Sequence, residues 1–143
     1  QELAYLANGN LNQALYLSQH SEDDTHTFFR DWMRSCYKKD YTDLVKRGND
    51  FAKLNKSTQR TVLHYTLHVC RETMLWQSGG GEVLRLSEGK QTFIQGFSKV
   101  LSLSKVQFFY EQTNDSIKHL ERNASPKIVF TDLSLNLVDL MQR

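Results

Sequence analysis

Helix-breaking residues are scarce in this chain of 143 residues, which contains one proline, Pro126, and seven glycines. Folds made of many short strands need frequent turns, and turns depend heavily on glycine and proline. The scarcity therefore favours long helices over a sandwich or barrel. The chain is long enough for one domain with a single core, and a composition of 39% hydrophobic and 24% charged residues is ordinary for a globular protein.

An excess of one charge is also missing. The chain has 18 lysines and arginines against 16 acidic residues, a formal net charge of +2. Proteins that bind nucleic acid by themselves usually carry a stronger basic excess. The most basic stretch, residues 30–47, is interleaved with Asp31, Asp40 and Asp43, so we interpret it as a solvated helix surface. Direct DNA contact is not implied.

Cysteines and long apolar runs are few as well. Cys36 and Cys70 are the only cysteines, and both lie in stretches with helical apolar spacing. They are predicted to be free, buried thiols in a reducing compartment. No run reaches the roughly 18 apolar residues that a membrane span needs, and no signal peptide is visible. We therefore expect a cytoplasmic protein that does not enter a membrane.

What is present is helical periodicity along almost the whole chain. Leu63, Leu67, Cys70 and Met74 show it best, since their spacing places them on one helix face. We find no credible strand. A surface loop is expected over residues 77–89. The predicted helices cover residues 2–8, 11–20, 21–39, 41–54, 58–76, 90–103, 105–123 and 126–143.

Capping residues set the predicted helix starts. Asp40, Ser57 and Ser104 are predicted N-caps, and Ser125 followed by proline is a strong start signal. Ser21 is predicted to begin a new helix after a break at residues 20–21. Within the helix after Asp40, the apolar pattern predicts Leu44, Val45 and Phe51 to point inward.

No nucleotide site is predicted. Gly89-Lys90 ends like a phosphate-binding P-loop, but Gln91 replaces the hydroxyl residue and Leu84 the first glycine. The run Gly79-Gly80-Gly81 lacks the flanking strand and helix of a phosphate loop, so we interpret it as a flexible connector. The sequence therefore predicts no cofactor.

No metal or catalytic site is predicted either. His64 and His68 have the i, i+4 spacing of a metal pair, but a third ligand is not evident. They are interpreted as solvated or interface histidines. Trp76, Phe108 and Tyr16 fit the core faces less well, and each is either packed at the edge of the core or an anchor for a protein partner.

Two terminal motifs resemble the AAA+ clamp-loader family. Residues 7–15, ANGNLNQAL, resemble the last helix of the small lid domain, where a Gly-Ser-Pro-Gly-x-Ala-Leu type of motif recurs. Residues 122–130, RNASPKIVF, with a leucine-rich continuation, resemble the closing helix of the collar domain. Their order and separation resemble the C-terminal part of a δ′-like subunit of DNA polymerase III. The resemblance implies an ATPase core upstream of residue 1.

The resemblance also implies an architecture. We expect an all-α chain in which residues 1–20 end a lid domain and residues 21–143 form the collar, an antiparallel bundle of about five helices. Active subunits of this family usually carry a sensor arginine three residues after the lid glycine. That position is Asn12 here, which cannot contact a γ-phosphate through a guanidinium. The departure favours a δ′-like stator over a hydrolysing subunit.

The implied function is assembly without catalysis. In this family, collar domains of τ/γ, δ and δ′ subunits form a hetero-pentameric ring, and the whole complex loads a sliding clamp onto primed DNA. The last two helices are the expected interface, with contacts from Lys105, Phe108, Gln112, Arg122, Asn123 and Lys127. Alternatives are the collar of a δ or τ/γ subunit, an unrelated helical adaptor or scaffold domain, and a metal-dependent helical enzyme using His64 and His68.

Overall fold

A computed structural model describes the backbone of residues 11–79 and 88–143 and the side chains of residues 24–79 and 89–143. Both ranges are helical apart from short turns, which confirms the predicted all-α class. The bundle arrangement and the lid remnant stay predictions. The described helices are α1 (Leu11–Lys38), α2 (Tyr41–Lys53), α3 (Lys56–Gln77), α4 (Glu88–Val100), α5 (Leu103–Glu121) and α6 (Pro126–Gln142).

Helix α1 differs from its prediction. It is one helix of 28 residues, so the break predicted at residues 20–21 is wrong. The reason is the absence of any glycine or proline between Leu11 and Lys38, which leaves nothing to interrupt the backbone ladder. The predicted helix over residues 2–8 and its break at Gly9 lie outside the described residues.

The helix starts follow local capping. The side chain of Asp40 accepts a hydrogen bond from the backbone N–H of Asp43 at 3.1 Å, as predicted. Ser125 caps α6 in the same way, and Pro126 occupies the first turn. The cap of α3 is Asn55, two residues before the predicted Ser57, because the Asn55 amide oxygen accepts from the Thr58 N–H at 2.8 Å. Helix α5 is also shifted, with Ser102 at its N-cap position.

Two of the described helices end on a residue other than glycine that has a positive φ. Lys39 after α1 has φ 57° and Asn123 after α5 has φ 66°. In both places the next residue donates its N–H back five positions, Asp40 to the Ser35 carbonyl and Ala124 to the His119 carbonyl, each at 3.0 Å. This is the Schellman arrangement. It turns the chain sharply, so that α2 and α6 fold back on the helices before them.

The core is centred on stacked aromatic rings. Phe130 of α6 stacks against Trp32 of α1 and Phe51 of α2, with ring centroids 4.5 and 4.7 Å apart. All three side chains are fully buried. The indole N–H of Trp32 donates a hydrogen bond to the Ser134 hydroxyl at 2.8 Å. This buried N–H would otherwise have no hydrogen-bond acceptor. Helices α1, α2 and α6 are therefore fixed to one another.

Both cysteines are buried, as predicted. Cys36 points its thiol at the Ser134 carbonyl, 3.8 Å away. Burial raises the pKa of each thiol to about 12, so neither is a thiolate near neutral pH. Cys36 and Cys70 therefore belong to the packed interior.

Helix α6 lies between α2 and α5, and α3 packs on the far side of α5. Helices α3 and α5 run in opposite directions, since Lys56 bonds to Asn123 at one end and Gln77 bonds to the Leu101 carbonyl at the other. Helices α2 and α6 also oppose each other: Leu54 lines a pocket with Pro126, and Gly48 meets Thr131. The result is a layer in the order α2, α6, α5, α3.

Candidate subunit interface

The outer side of α6 and the neighbouring edges of α2 and α5 carry exposed apolar side chains. On α6, Ile128 is 68% exposed and Leu135 is 45% exposed. On α2, Tyr41 and Val45 are about half exposed, and Phe108 of α5 is 48% exposed. Single exposed apolar residues are common on soluble proteins, but five on three adjacent helices form a surface suited to a protein partner. We call these five residues the α6 face.

A close contact between α2 and α6 places Val45 and Leu135, two members of the α6 face, near each other. A Cβ atom on Gly48 would lie 2.8 Å from the Thr131 hydroxyl oxygen, so the helices approach as closely as glycine permits. Val45 precedes Gly48 by three residues, and Leu135 follows Thr131 by four. Because the helices are antiparallel, Val45 and Leu135 flank the outer edge of the same crossing.

Val45 was predicted to point inward, and that prediction is wrong, since the side chain is 49% exposed. The apolar pattern of α2 is broad enough to include Val45. Contact with α6 is made instead by Gly48 and Phe51. Helical spacing alone does not reveal which part of an apolar face a neighbouring helix covers.

Three of the six predicted interface residues lie on one edge of α5. Lys105, Phe108 and Gln112 follow the i, i+3, i+7 spacing of a single helix side. Lys105 and Gln112 are partly buried, while Phe108 is exposed. The Gln112 side-chain oxygen is buried without a hydrogen-bond partner. This edge therefore joins an apolar anchor to a polar group that has no hydrogen-bond partner among the described residues.

The other three predicted residues lie at the far end of α5. Gln112 and Arg122 are ten residues apart, or about 15 Å along a helix. Arg122, Asn123 and Lys127 are exposed around the α5–α6 turn. Asn123 has a structural role there, because it adopts the positive φ that ends α5 and accepts a hydrogen bond from the Lys56 ammonium at 2.8 Å. The six residues thus form two groups.

Sequence reasoning missed four members of the α6 face: Tyr41, Val45, Ile128 and Leu135. A signal was present for two of them. Ile128 and Leu135 are seven residues apart, on the side of α6 opposite to Leu133 and the other buried leucines. A helix that is apolar on both sides is usually covered on both sides.

The charges of the α6 face do not favour DNA. Asp132 and Asp139 share the exposed side of α6 with Ile128 and Leu135. Asp139 pairs with Arg143 at 2.7 Å, and the Asp132 carboxylate is exposed. Acidic groups repel the phosphate backbone, whereas a duplex-binding surface needs unpaired cations. Lys105 and Lys127 lie on α5 and α6 and Arg122 on the turn between them, so acidic and basic groups are mixed around the α6 face and no purely basic stripe is present among these residues.

The remaining sequence candidates carry no assembled site. Gly89 and Lys90 lie in the first turn of α4, which begins at Glu88, but Leu84 and Gln91 replace the glycine and the hydroxyl residue that a phosphate loop requires. Gly79 ends the turn after α3, and Gly80 and Gly81 lie outside the described residues. His64 is exposed, and the described residues contain no group of three side chains able to hold a metal ion.

The aromatic candidates differ in their surroundings. Trp76 packs against the core, so its role is packing, whereas Phe108 remains exposed. Asn12 and Tyr16 belong to α1, but their side chains are not among those that the structure describes. Across the parts of the chain that are described, no helix combines the length and apolar character that a bilayer crossing requires.

Comparison of the chain with protein-family models, with curated proteins and with solved structures gave no match. Functional inference therefore depends on the residues themselves and on the surfaces that the helices present.

Proposed function

We propose that this chain is the collar domain of a δ′-like clamp-loader subunit and acts as a non-catalytic oligomerisation module. The observation that carries the proposal is the α6 face, whose apolar side chains are exposed on a layer of three packed helices. Burial of such side chains against a neighbouring subunit would provide the driving force for assembly, at about 25 cal/mol per Å² of apolar surface.

The residues around Asn123 give a second, independent reason for the proposal. Residues 122–130 resemble the clamp-loader collar, and they span the turn between α5 and α6 and the first residues of α6. Asn123 and Pro126 fix this turn, through a positive φ and a helix start respectively. The turn sets the direction of α6, and α6 in turn carries Ile128 and Leu135. The residues behind the resemblance therefore position the candidate interface.

In this proposal the partners are the τ/γ and δ subunits, and contact with the sliding clamp and primed DNA occurs only through the whole complex. The mixed acidic and basic residues around the α6 face agree with a role that does not include direct DNA binding. A collar of the δ or τ/γ type would use the same kind of surface. The choice of δ′ depends on Asn12, where a hydrolysing subunit would usually have arginine.

The test is co-purification of the chain with the τ/γ and δ subunits of its source organism, read by size-exclusion chromatography with light scattering. We expect co-elution in a defined stoichiometry. Co-elution would also identify the neighbours. Elution of the chain alone, at subunit concentrations of tens of micromolar, would contradict a collar role for this chain and favour an unrelated helical adaptor.

A further inference from the structure

A second apolar surface, separate from the α6 face, forms an open groove between α1 and α4. Its volume is about 380 Å³, within the range of small binding pockets. The C-terminal end of α6 closes one side of it. The groove is lined by Met33, Phe93, Phe97, Val100 and Met141, together with Gly96.

Gly96 opens this groove. It lies within α4 and is exposed, and a Cβ atom built on it would meet no described residue within 4 Å. Glycine within a helix is unfavourable by about 0.5–1 kcal/mol relative to alanine. No positive φ, and no close contact with a described helix, requires glycine here. What Gly96 provides is space over the groove, which any larger side chain would take up.

The rim of the groove on α1 is positively charged. Arg34 and Lys38 are one helical turn apart, both line the groove and both are exposed. Within the described ranges neither makes an ion pair, because the pairs there are Arg30–Asp31, Arg47–Asp43 and Arg143–Asp139. None of the described residues that line the groove is acidic. Arg34 and Lys38 also line a neighbouring surface pocket with Asp31, Asp40 and Asp43, but neither forms an ion pair with these carboxylates, so both cations can pair with a partner in the groove.

The dimensions of the groove suit a helix. Its lining on α4 extends from Thr92 to Val100, which is about 12 Å or two turns. Two turns is the repeat over which an amphipathic helix presents anchors at i, i+3 or i+4, and i+7. Met33 and Met141 on the floor are flexible and polarisable, so they can adapt to the shape of an inserted side chain.

We propose that this groove binds an acidic amphipathic helix of a partner protein. Large apolar side chains of that helix insert over Gly96, onto Met33 and Phe97, and its carboxylates pair with Arg34 and Lys38. Apolar insertion provides most of the affinity, and the rim charges select acidic over basic helices. The inference does not depend on the clamp-loader assignment, because it concerns a different surface.

The experiment is a selection of random 14-residue peptides displayed on phage against the intact chain, with removal of peptides that also bind the Gly96→Leu variant. A Cβ atom at position 96 meets no described residue within 4 Å, so a leucine there has room to leave the helix and occupy the groove. The matched control is Gly89→Leu, since Gly89 lies on the same helix, is exposed and also has open space around it. Binding of selected synthetic peptides is then measured by fluorescence anisotropy.

The expected result is a set of peptides enriched in acidic and large apolar residues at helical spacing. These should bind Gly89→Leu like the wild type and Gly96→Leu at least tenfold more weakly. Reversal of both rim charges (R34E/K38E) should weaken binding about fivefold, in line with partly exposed ion pairs. The control reversal on α2 (K46E/K53E) changes net charge equally and should have no comparable effect.

Three outcomes would overturn the proposal. The first is a selection that yields no peptide sensitive to Gly96→Leu. The second is enrichment of basic or neutral peptides in place of acidic ones. The third is equal loss of binding in R34E/K38E and K46E/K53E. That result would show that the net charge of the chain, and not the position of Arg34 and Lys38 at the groove, causes the loss.

Discussion

Helix α6 has two apolar sides with different surroundings. On its inner side, Phe130 is fully buried between Trp32 and Phe51, and Leu137 is equally enclosed. On its outer side, Ile128 is 68% exposed. Apolar character by itself does not separate these residues. The difference is that the inner side is enclosed by side chains of neighbouring helices, whereas the outer side is largely exposed among the described residues. Burial of the inner side stabilises the fold, and the outer side is the surface that the proposed assembly would use.

The largest expected effect comes from exchanging large side chains for alanine on the two sides. Phe130→Ala removes the central ring of the stack and should lower the free energy of unfolding by about 3–5 kcal/mol. Ile128→Ala should change it by less than about 1 kcal/mol, because the side chain is already mostly in water. Urea unfolding followed by circular dichroism measures both. Similar losses in the two variants would remove the distinction between the sides.

The inner side of α6 also contains a buried hydrogen bond between Trp32 and Ser134. Ser134→Ala removes the acceptor of the Trp32 indole N–H and should destabilise the chain by about 1–3 kcal/mol, since the buried donor is left without a partner. Ser116→Ala is the matched control. The Ser116 hydroxyl donates only to the Gln112 carbonyl of its own helix, so its loss should be nearly neutral. If both variants unfold at the same urea concentration, the Trp32–Ser134 bond does not stabilise the inner side.

The distance between α2 and α6 affects both sides of α6, and the absence of a side chain at Gly48 allows that distance to be short. In Gly48→Ala the new methyl group would lie 2.8 Å from the Thr131 hydroxyl oxygen, so either the Thr131 side chain or the two helices must shift. Such overpacking costs about 1–3 kcal/mol, partly offset by about 1 kcal/mol of helix propensity. Gly96→Ala, with open space, should instead stabilise by about 0.5–1 kcal/mol.

A second substitution identifies the cause. Thr131→Ala removes the atom that the new methyl group would strike, so the pair G48A/T131A should recover most of the loss seen for G48A. Thermal unfolding of the wild type and the three variants completes the double-mutant cycle. An unchanged loss in the double variant would show that the contact at Thr131 is not what requires glycine.

The smallest effect is expected at the polar edge between α1 and α2. The Ser35 hydroxyl donates to the Asp43 carboxylate, and the Arg47 guanidinium donates to it at 2.6 Å. These bonds hold the pKa of Asp43 below its ordinary value. The folded pKa is therefore lower than the unfolded one, so the stabilisation is complete above the unfolded value and is lost as pH falls through the folded value.

Asp43→Asn should consequently be less stable than the wild type at pH 6, by up to about 1 kcal/mol, with a gap that closes below about pH 4. Urea unfolding across this pH range measures the gap. Asp50→Asn, an exposed change on the same helix, should show little pH-dependent difference. A constant gap for Asp43→Asn would contradict the assigned role of the ionised carboxylate.

Local signals predicted much of this fold. Asp40 and Ser125 begin helices because their side chains satisfy nearby N–H groups, an interaction within three residues that sequence reveals directly. The inward face of α3 follows equally from local spacing. Ser21 misled because a capping residue can also lie within a helix when no glycine or proline interrupts it. Residues 1–10 and the lid motif stay predictions.

The candidate interface was harder to predict, since it depends on which helices are neighbours. Phe108 could be identified because it lies off the apolar face of α5. Val45 could not, because its exposure depends on Gly48 making the contact with α6. Asn123 was predicted as an interface contact, and its positive φ shows in addition that it ends α5.

The central claim is that the outer side of α6 is a subunit interface, and one comparison tests it most directly. The variant I128D/L135D is mixed with the τ/γ and δ subunits and followed by size-exclusion chromatography with light scattering. The control is L75D/L103D, which changes two apolar residues of lower or similar exposure outside the α6 face. Thermal unfolding should show that both variants are folded.

Two apolar anchors at an interface contribute about 2 kcal/mol or more each when they are central to it. We therefore predict that I128D/L135D elutes alone, whereas L75D/L103D co-elutes with the other subunits like the wild type. Co-elution of I128D/L135D at wild-type stoichiometry would contradict the claim and place the subunit contact elsewhere on the chain.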